Sequence, residues 1–137
     1  MSSFEQNSRS IPYGKLMCLS RERRNLERIA GQVREYPVET AFCELTALDI
    51  TPKGVDKGSG LSRLRHELGM EEGPLFVAGD GENDLPLMRL AEMSFAPDNA
   101  QGAVRQQASV IQDGSKDGLL ELMLHHAASF TAGTHCR

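Results

Sequence analysis

The strongest constraint on the fold is an alternation of helix and strand patterns along the second part of the chain. Four helix-like segments alternate with three short apolar segments rich in strand-forming residues. In chain order, these segments occupy 57–68, 75–79, 84–92, 93–97, 99–107, 108–112 and 116–127. Alternating elements with short connections are typical of an α/β domain built on a parallel sheet. The sequence therefore predicts a parallel-sheet, Rossmann-type α/β fold for this region.

The first part of the chain has a different character. "KLMCL" at 15–19 predicts a short strand, and 21–34 predicts a helix with apolar residues on one face. Residues 38–50 are rich in β-formers and predict one or two strands, after which "TPKG" breaks the pattern. A boundary is therefore expected near Pro52.

The two ends of the chain are polar and rich in small residues. Residues 1–14 and 128–137 are expected to be mobile. Between them, we interpret residues 15–50 as one region and residues 51–127 as the α/β region.

Composition narrows the class of protein. The chain has 137 residues, a net charge of −4 and a pI of about 5.5, which argues against a nucleic-acid surface. No apolar run approaches membrane-spanning length, and residues 1–14 do not resemble a secretory signal. Three widely spaced cysteines fit a reduced, cytoplasmic protein better than a disulfide framework.

The segment "LFVAGDGENDLPLM" at 75–88 concentrates negative charge at the end of an apolar strand. Ligands of parallel sheets bind beyond the carboxyl ends of strands, so Asp80 is expected to face a ligand. Asp80, Glu82 and Asp84 would repel one another unless water or a cation lies between them, and carboxylate oxygens suit Mg²⁺. Ordinary helix capping also accounts for Asn83 or Asp84, but it does not account for Asp80 and Glu82.

Two competing motifs fit this segment less well. A calcium-binding EF-hand loop that began at Asp80 would need glycine and glutamate where the chain has Leu85 and Ala91. A dinucleotide-binding G-x-G-x-x-G would need a third glycine where the chain has Asp84. The histidines at 125, 126 and 135 lack neighbouring ligands at metal-binding spacing.

Lys57 is the second candidate functional residue. It precedes Leu61, Leu64 and Leu68 on one helical stripe, which we expect to be buried. A lysine in the first turn of that stripe would emerge at the rim of the sheet, where its charge could bind an anionic substrate. The alternative is a lysine whose alkyl stem covers apolar surface while its ammonium group stays in water.

The combined pattern resembles the haloacid dehalogenase superfamily, and within it the Cof-type sugar-phosphate phosphatases with an α/β cap. The resemblance rests on four segments. These are "ITPKGVDKGSGLSRLRHELGM", "FVAGDGENDLPLM", "SFAPDNAQGAVRQQASVI" and "DGSKDGLLELM". It covers about residues 48–122 and implies that 15–50 are part of a cap and 51–127 the C-terminal half of the core.

The resemblance also implies roles for individual residues. Lys57 corresponds to the lysine that holds the phosphoryl group and the nucleophile, and Asp80 to an acid that ligates Mg²⁺. Asn83 corresponds to a residue that contacts substrate or metal-bound water, and Asp84 to a supporting carboxylate. Asn99 matches a loop asparagine to which we assign a structural role. The implied substrate is a small phosphorylated metabolite.

One part of the family pattern is missing from these residues. The family's nucleophile and general acid–base lie in a D-x-D-G-T motif, and no D-x-D occurs in the 137 residues. We therefore expect a phosphatase sequence shortened at its N-terminus and inactive by itself. It would self-associate or bind a complementing N-terminal half. The alternative is a non-catalytic binding module, regulatory module or gene remnant.

Overall fold

The structure is a computed structural model that describes residues 14–113 and 118–133. The chain divides into two compact units, Met1–Val55 and Asp56–Arg137. The sequence predicted this boundary a few residues earlier, near Pro52. None of the described helices is long and apolar enough to span a membrane.

The first unit contains a three-stranded antiparallel sheet and one described helix. The elements are β1 (Leu16–Leu19), α1 (Arg23–Val33), β2 (Val38–Glu44) and β3 (Ala47–Pro52). β3 lies between β1 and β2 in the sheet. The strand-forming segment 38–50 is therefore two strands, and the turn between them leaves Leu45 exposed.

Helix α1 covers one face of this sheet. Leu26 and Ala30 pack against Leu48 and Ile50 to form a small buried core. Partly buried apolar residues surround it: Cys18, Ile29, Val33, Val38 and Phe42. The helical face predicted from Leu26, Ile29, Ala30 and Val33 is thus the face that packs on the sheet.

The second unit is an α/β region with a parallel sheet, as the alternating pattern predicted. Its elements are α2 (Lys57–Glu67), β4 (Phe76–Ala78), α3 (Leu85–Leu90), β5 (Met93–Pro97), α4 (Gly102–Gln107), β6 (Val110–Gln112) and α5 (Leu119–Gly133). A short 3₁₀ turn, Glu82–Asp84, leads into α3. The strands lie in the order β4-β5-β6, and both pairings are parallel.

Successive strand residues of this unit face opposite sides of the sheet. Val77 and Ala96 join Met88 of α3 and Val104 of α4 in one buried cluster. On the other side, Phe95 is fully buried, and its ring lies 5.5 Å from that of His126 in α5. The sheet is therefore sandwiched between helices, an arrangement that suits parallel strands.

The structure corrects two sequence-based expectations. Leu64 and Leu68 are 51% and 61% exposed, so the prediction that α2 buries this stripe is wrong. The reason is that α2 packs through its first turns, with Gly58 buried and Leu61 against the α3–α4 core. The last helix was expected to end at 127, before a mobile tail at 128–137, whereas α5 continues to Gly133, and 134–137 lie outside the described residues. The ring of Phe130 meets the ring of Phe76 edge-on, with centroids 5.8 Å apart, so this part of α5 packs against β4.

We expect Phe95→Ala to lower the free energy of unfolding by about 3–5 kcal/mol, because it removes a fully buried ring between β4 and α5. Leu124→Ala is the matched control. Leu124 is 59% exposed on α5, so its truncation should change the free energy by less than about 0.5 kcal/mol. Urea unfolding followed by circular dichroism measures both. Equal effects would contradict this description of the core.

Candidate active site

The candidate site lies at the carboxyl end of the parallel sheet. Asp80 follows β4 after a single residue, Gly79. Lys57 is the first residue of α2, and a capping box fixes the start of this helix. Asp56 accepts a hydrogen bond from the Ser59 amide at 2.7 Å, and the Asp56 amide donates to the Ser59 hydroxyl at 3.0 Å. The position of Lys57 therefore depends on its own helix cap.

Asp84 is the centre of the site. Asp84 is 6% exposed, and its Oδ1 forms an ion pair with the Lys57 ammonium group. Its Oδ2 accepts hydrogen bonds from the backbone amides of Asp80 at 3.1 Å and Gly81 at 3.3 Å. A buried carboxylate is stable only when its oxygens are paired in this way. Asp84 therefore joins α2 to the loop after β4.

Two glycines make this arrangement sterically possible. A Cβ on Gly79 would lie 2.8 Å from the carboxylate carbon of Asp84, and a Cβ on Gly58 would lie 2.8 Å from the carbonyl oxygen of Pro86. Neither distance is tolerated by real side chains. Gly79 lets the Asp84 side chain reach back over the loop, and Gly58 lets α2 approach α3 so that Lys57 meets Asp84.

Gln101, which sequence reasoning missed, also holds the loop. Its amide donates to the Asp80 carbonyl at 2.9 Å, and its side-chain oxygen accepts from the Glu82 amide at 3.2 Å. A polar residue just after the neighbouring strand, at the same edge of the sheet, was the signal that could have identified it. Through these two hydrogen bonds, Gln101 positions the backbone of Asp80 and Glu82.

The remaining candidates have different environments. Asp80 is exposed, and its carboxylate has no hydrogen-bond or ion-pair partner within the described residues. Glu82 and Asn83 are half-buried in the 3₁₀ turn. Asn99 is exposed in the turn after β5, whereas His125 and His126 lie on α5. His135 falls outside the described residues.

The expected repulsion among the three acids is resolved in part by burial and pairing. Asp84 is turned inward onto a lysine and two amides, and its side chain does not cap α3.

Residues 14–113 and 118–133 contain no cluster of three or more side chains that could hold a metal ion. Asp80 supplies one unpartnered hard carboxylate, which fits Mg²⁺ because this ion commonly takes one or two protein carboxylates and completes its shell with water and phosphate.

A match to a protein-family model shows which family the chain belongs to. The model for haloacid dehalogenase-like hydrolases matches residues 2–123. The chain belongs to this family. The motifs around Lys57 and Asp80 lie within the matched segment.

Relatives with assigned names support this membership. The chain is 38% identical over 90 residues to a phosphoglycolate phosphatase from Methanopyrus kandleri, covering 66% of this chain and 37% of the relative. It is 34% identical over 88 residues to 5-amino-6-(5-phospho-D-ribitylamino)uracil phosphatase YbjI of Escherichia coli, covering 61% and 32%. The chain thus spans about a third of the length of these relatives.

Solved structures share the fold. A haloacid dehalogenase-like hydrolase from Bacteroides thetaiotaomicron aligns with a TM-score of 0.64 and 28% identity, covering 84% of this chain and 44% of that one. The HAD subclass IIB sugar phosphatase BT4131 aligns with a TM-score of 0.74 over 92% of this chain and 47% of its own. Its identity is 21%, so this second similarity concerns the fold alone.

We expect Gly58→Ala to destabilise the chain by about 1–3 kcal/mol, because the new methyl group overlaps the Pro86 carbonyl. Gly60→Ala is a matched control in the same helix. A Cβ on Gly60 would meet nothing within 4 Å, so alanine should stabilise the helix by about 0.5–1 kcal/mol. Urea unfolding of both variants is the measurement. A stabilised Gly58→Ala protein would show that α2 and α3 are not in close contact.

Proposed function

We propose that this chain forms the phosphate-holding and Mg²⁺-holding edge of a phosphomonoester hydrolase site. The observation that supports the proposal most directly is the contrast between two acids on one loop. The Asp84 carboxylate is fully used in holding Lys57 and the loop amides, whereas the Asp80 carboxylate is exposed and unpartnered in the described structure.

The proposed roles follow from these environments. Lys57 has a side chain that is 47% exposed, so its ammonium group can donate to a phosphoryl oxygen while it remains paired with Asp84. Asp80 would hold Mg²⁺, which offsets the negative charge of a phosphoryl group when bound. Asp84 orients Lys57 and fixes the Asp80 backbone. Asn83 is proposed to contact the substrate or metal-bound water.

The substrate class is proposed from the relatives. Those reported above are named as phosphatases of small phosphorylated metabolites. We propose a small, sugar-phosphate-like phosphomonoester as the substrate of the complete site. The phosphoryl group would meet Lys57 at the carboxyl end of β4, the end at which parallel sheets bind ligands.

The free edge of β4 suggests how the site is completed. In the described sheet, β4 has one neighbour, β5. The Leu75 carbonyl and the Gly79 amide bond toward β5, so by alternation Phe76 and Ala78 direct their backbone groups to the opposite edge. Such an edge pairs readily with a further strand. We propose that a segment containing D-x-D-G-T, or a second copy of the chain, pairs there.

The first test measures Mg²⁺ and phosphate binding. We expect Mg²⁺ to bind with a Kd of about a millimolar or weaker, because Asp80 provides a single carboxylate, and inorganic phosphate should tighten this binding. Asp80→Asn should weaken it at least about tenfold, equivalent to roughly 1.4 kcal/mol. Amide shifts of Gly79–Gly81 in NMR titrations give both constants.

The matched control for this test is Glu92→Gln, which removes an exposed carboxylate immediately before β5, at the opposite end of the sheet. It should leave Mg²⁺ binding unchanged. Equal losses in the two variants would mean that binding is a diffuse effect of negative charge. Micromolar Mg²⁺ affinity in the original chain would show that the loop holds a complete site without further ligands.

The second test measures turnover and assembly together. The 137 residues contain no D-x-D, so the chain alone should hydrolyse p-nitrophenyl phosphate with Mg²⁺ no faster than buffer does. Size exclusion with light scattering should show self-association through the β4 edge. Co-expression with a D-x-D-G-T segment from a structural relative should give a soluble complex whose activity is lost in Asp80→Asn.

Three outcomes would oppose this second prediction. Turnover by the chain alone that disappears in Asp80→Asn would show that another group supplies the nucleophile. A monodisperse monomer with a cooperative thermal transition would show that the β4 edge needs no partner. A folded complex that binds Mg²⁺ and phosphate without any turnover would favour the alternative, a non-catalytic binding module.

A further inference from the structure

The segment that joins the two units is hydrogen-bonded along its whole length. It comprises residues 53–56, between β3 and α2, and each of its amides donates a hydrogen bond. In chain order, the acceptors are the Pro37 carbonyl at 2.9 Å, a Glu39 carboxylate oxygen at 3.3 Å, the Pro52 carbonyl at 3.0 Å and the Ser59 hydroxyl at 3.0 Å. Linkers between compact units are commonly exposed and flexible, so a linker without an unpaired amide is an ordered element.

The linker begins as a tight turn that a pair of strand residues holds. Gly54 has a φ of 77°, which fits the third position of a type II turn, and the Val55 amide closes the turn on the Pro52 carbonyl. Glu39 and Thr51 lie opposite each other on β2 and β3. The Glu39 carboxylate accepts from the Gly54 amide, and the Thr51 hydroxyl donates to the Val55 carbonyl at 2.6 Å. Both side chains of this pair therefore hold the turn.

The peptide group between Val55 and Asp56 is held on both sides. Its carbonyl oxygen accepts from the Thr51 hydroxyl, and its N–H donates to the Ser59 hydroxyl. Because a peptide group is planar, these two hydrogen bonds together fix its orientation. The Ser59 hydroxyl belongs to the capping box that starts α2 at Lys57. A single rigid plane thus connects the Thr51 hydroxyl to the start of α2.

The start of α2 has little freedom if the candidate site is to keep its geometry. The Lys57 ammonium group pairs with the buried Asp84 carboxylate. The next residue, Gly58, lies so close to Pro86 that a Cβ would be 2.8 Å from the Pro86 carbonyl oxygen. A displacement of this turn would move the ammonium group relative to Asp84, and functional groups depend on such supporting contacts for their placement.

We propose that Thr51 is a positioning residue for Lys57. Its hydroxyl holds the Val55–Asp56 peptide, and this peptide holds the first residue of α2. Without the hydroxyl, the Val55 carbonyl bonds to water instead, and the peptide plane is free to rotate. The consequence for phosphate binding rests on the function proposed for Lys57, whereas the consequence for the order of the linker does not.

Amide hydrogen exchange, measured by NMR on the full chain, tests this proposal. Thr51→Val keeps the branched shape of the side chain and removes the hydroxyl, whereas Thr51→Ser keeps the hydroxyl. We expect the Asp56 and Ser59 amides to exchange about fivefold faster in Thr51→Val, as for the loss of one hydrogen bond, and at nearly the original rate in Thr51→Ser. A hydroxyl that served the turn alone would affect only the amides of Gly54 and Val55.

Phosphate binding is the second measurement. With Mg²⁺ present, the Kd of inorganic phosphate should rise at least about threefold in Thr51→Val, because Lys57 is less well placed to donate, and should recover in Thr51→Ser. Thr40→Val is the matched control, since Thr40 is an exposed threonine of β2. It should change neither the exchange rates nor the Kd. Circular dichroism melts show that each variant is folded.

Three results would overturn the proposal. Faster exchange confined to Gly54 and Val55 would show that the hydroxyl acts on the turn alone. Equal exchange rates in Thr51→Val and Thr51→Ser would show that another group holds the peptide. Faster exchange at Asp56 with an unchanged phosphate Kd would show that the linker does not position Lys57. If the original chain binds no phosphate, the proposed function fails, and exchange at Asp56 and Ser59 still decides whether Thr51 orders the start of α2.

Discussion

The arrangement of the second unit depends on one buried carboxylate, that of Asp84. Asp84 is buried at the start of α3, and an ionised carboxylate in that position is tolerated only if hydrogen bonds and a counter-charge replace its hydration. Lys57 provides the charge, and the amides of Asp80 and Gly81 provide the hydrogen bonds. These contacts fix the start of α2, the end of β4 and the turn into α3 relative to one another.

Other features of the unit serve this arrangement. Positions 58 and 79 require glycine, because a Cβ on Gly58 would collide with Pro86 and a Cβ on Gly79 would collide with Asp84. The Asp56 cap starts α2 at Lys57, and Gln101 holds the loop from the side of β5. The result is a loop whose backbone is fixed while the Asp80 side chain stays exposed, and a ligand that binds Asp80 therefore meets an ordered surface.

Among the described residues two aspartates are buried, Asp84 and Asp49, and they differ in how their carboxylate oxygens are satisfied. Both oxygens of Asp84 have partners, so its charge is used within the protein. Asp49 has a lysine on one oxygen and no described partner on the other. The first arrangement compensates the buried charge within the protein, whereas the second leaves one buried carboxylate oxygen without a hydrogen bond among the described residues. The same residue type thus has different consequences in the two units.

The sequence by itself determined the fold class, the order of the elements and the apolar face of α1, because these follow from local periodicity and from the spacing of breakers such as the "TPKG" segment. It also pointed to Lys57, Asp80 and Asp84 as one group, through their motif. It misjudged Leu64 and Leu68, because an apolar stripe does not reveal how far a neighbouring helix extends along it. Only the tertiary structure decided that Asp84 turns inward while Asp80 stays exposed, that Gln101 supports the loop, and that Asp49 is buried with one oxygen unpaired. Each of these depends on which residues from distant parts of the chain lie within hydrogen-bond distance, and local sequence patterns contain no such distances.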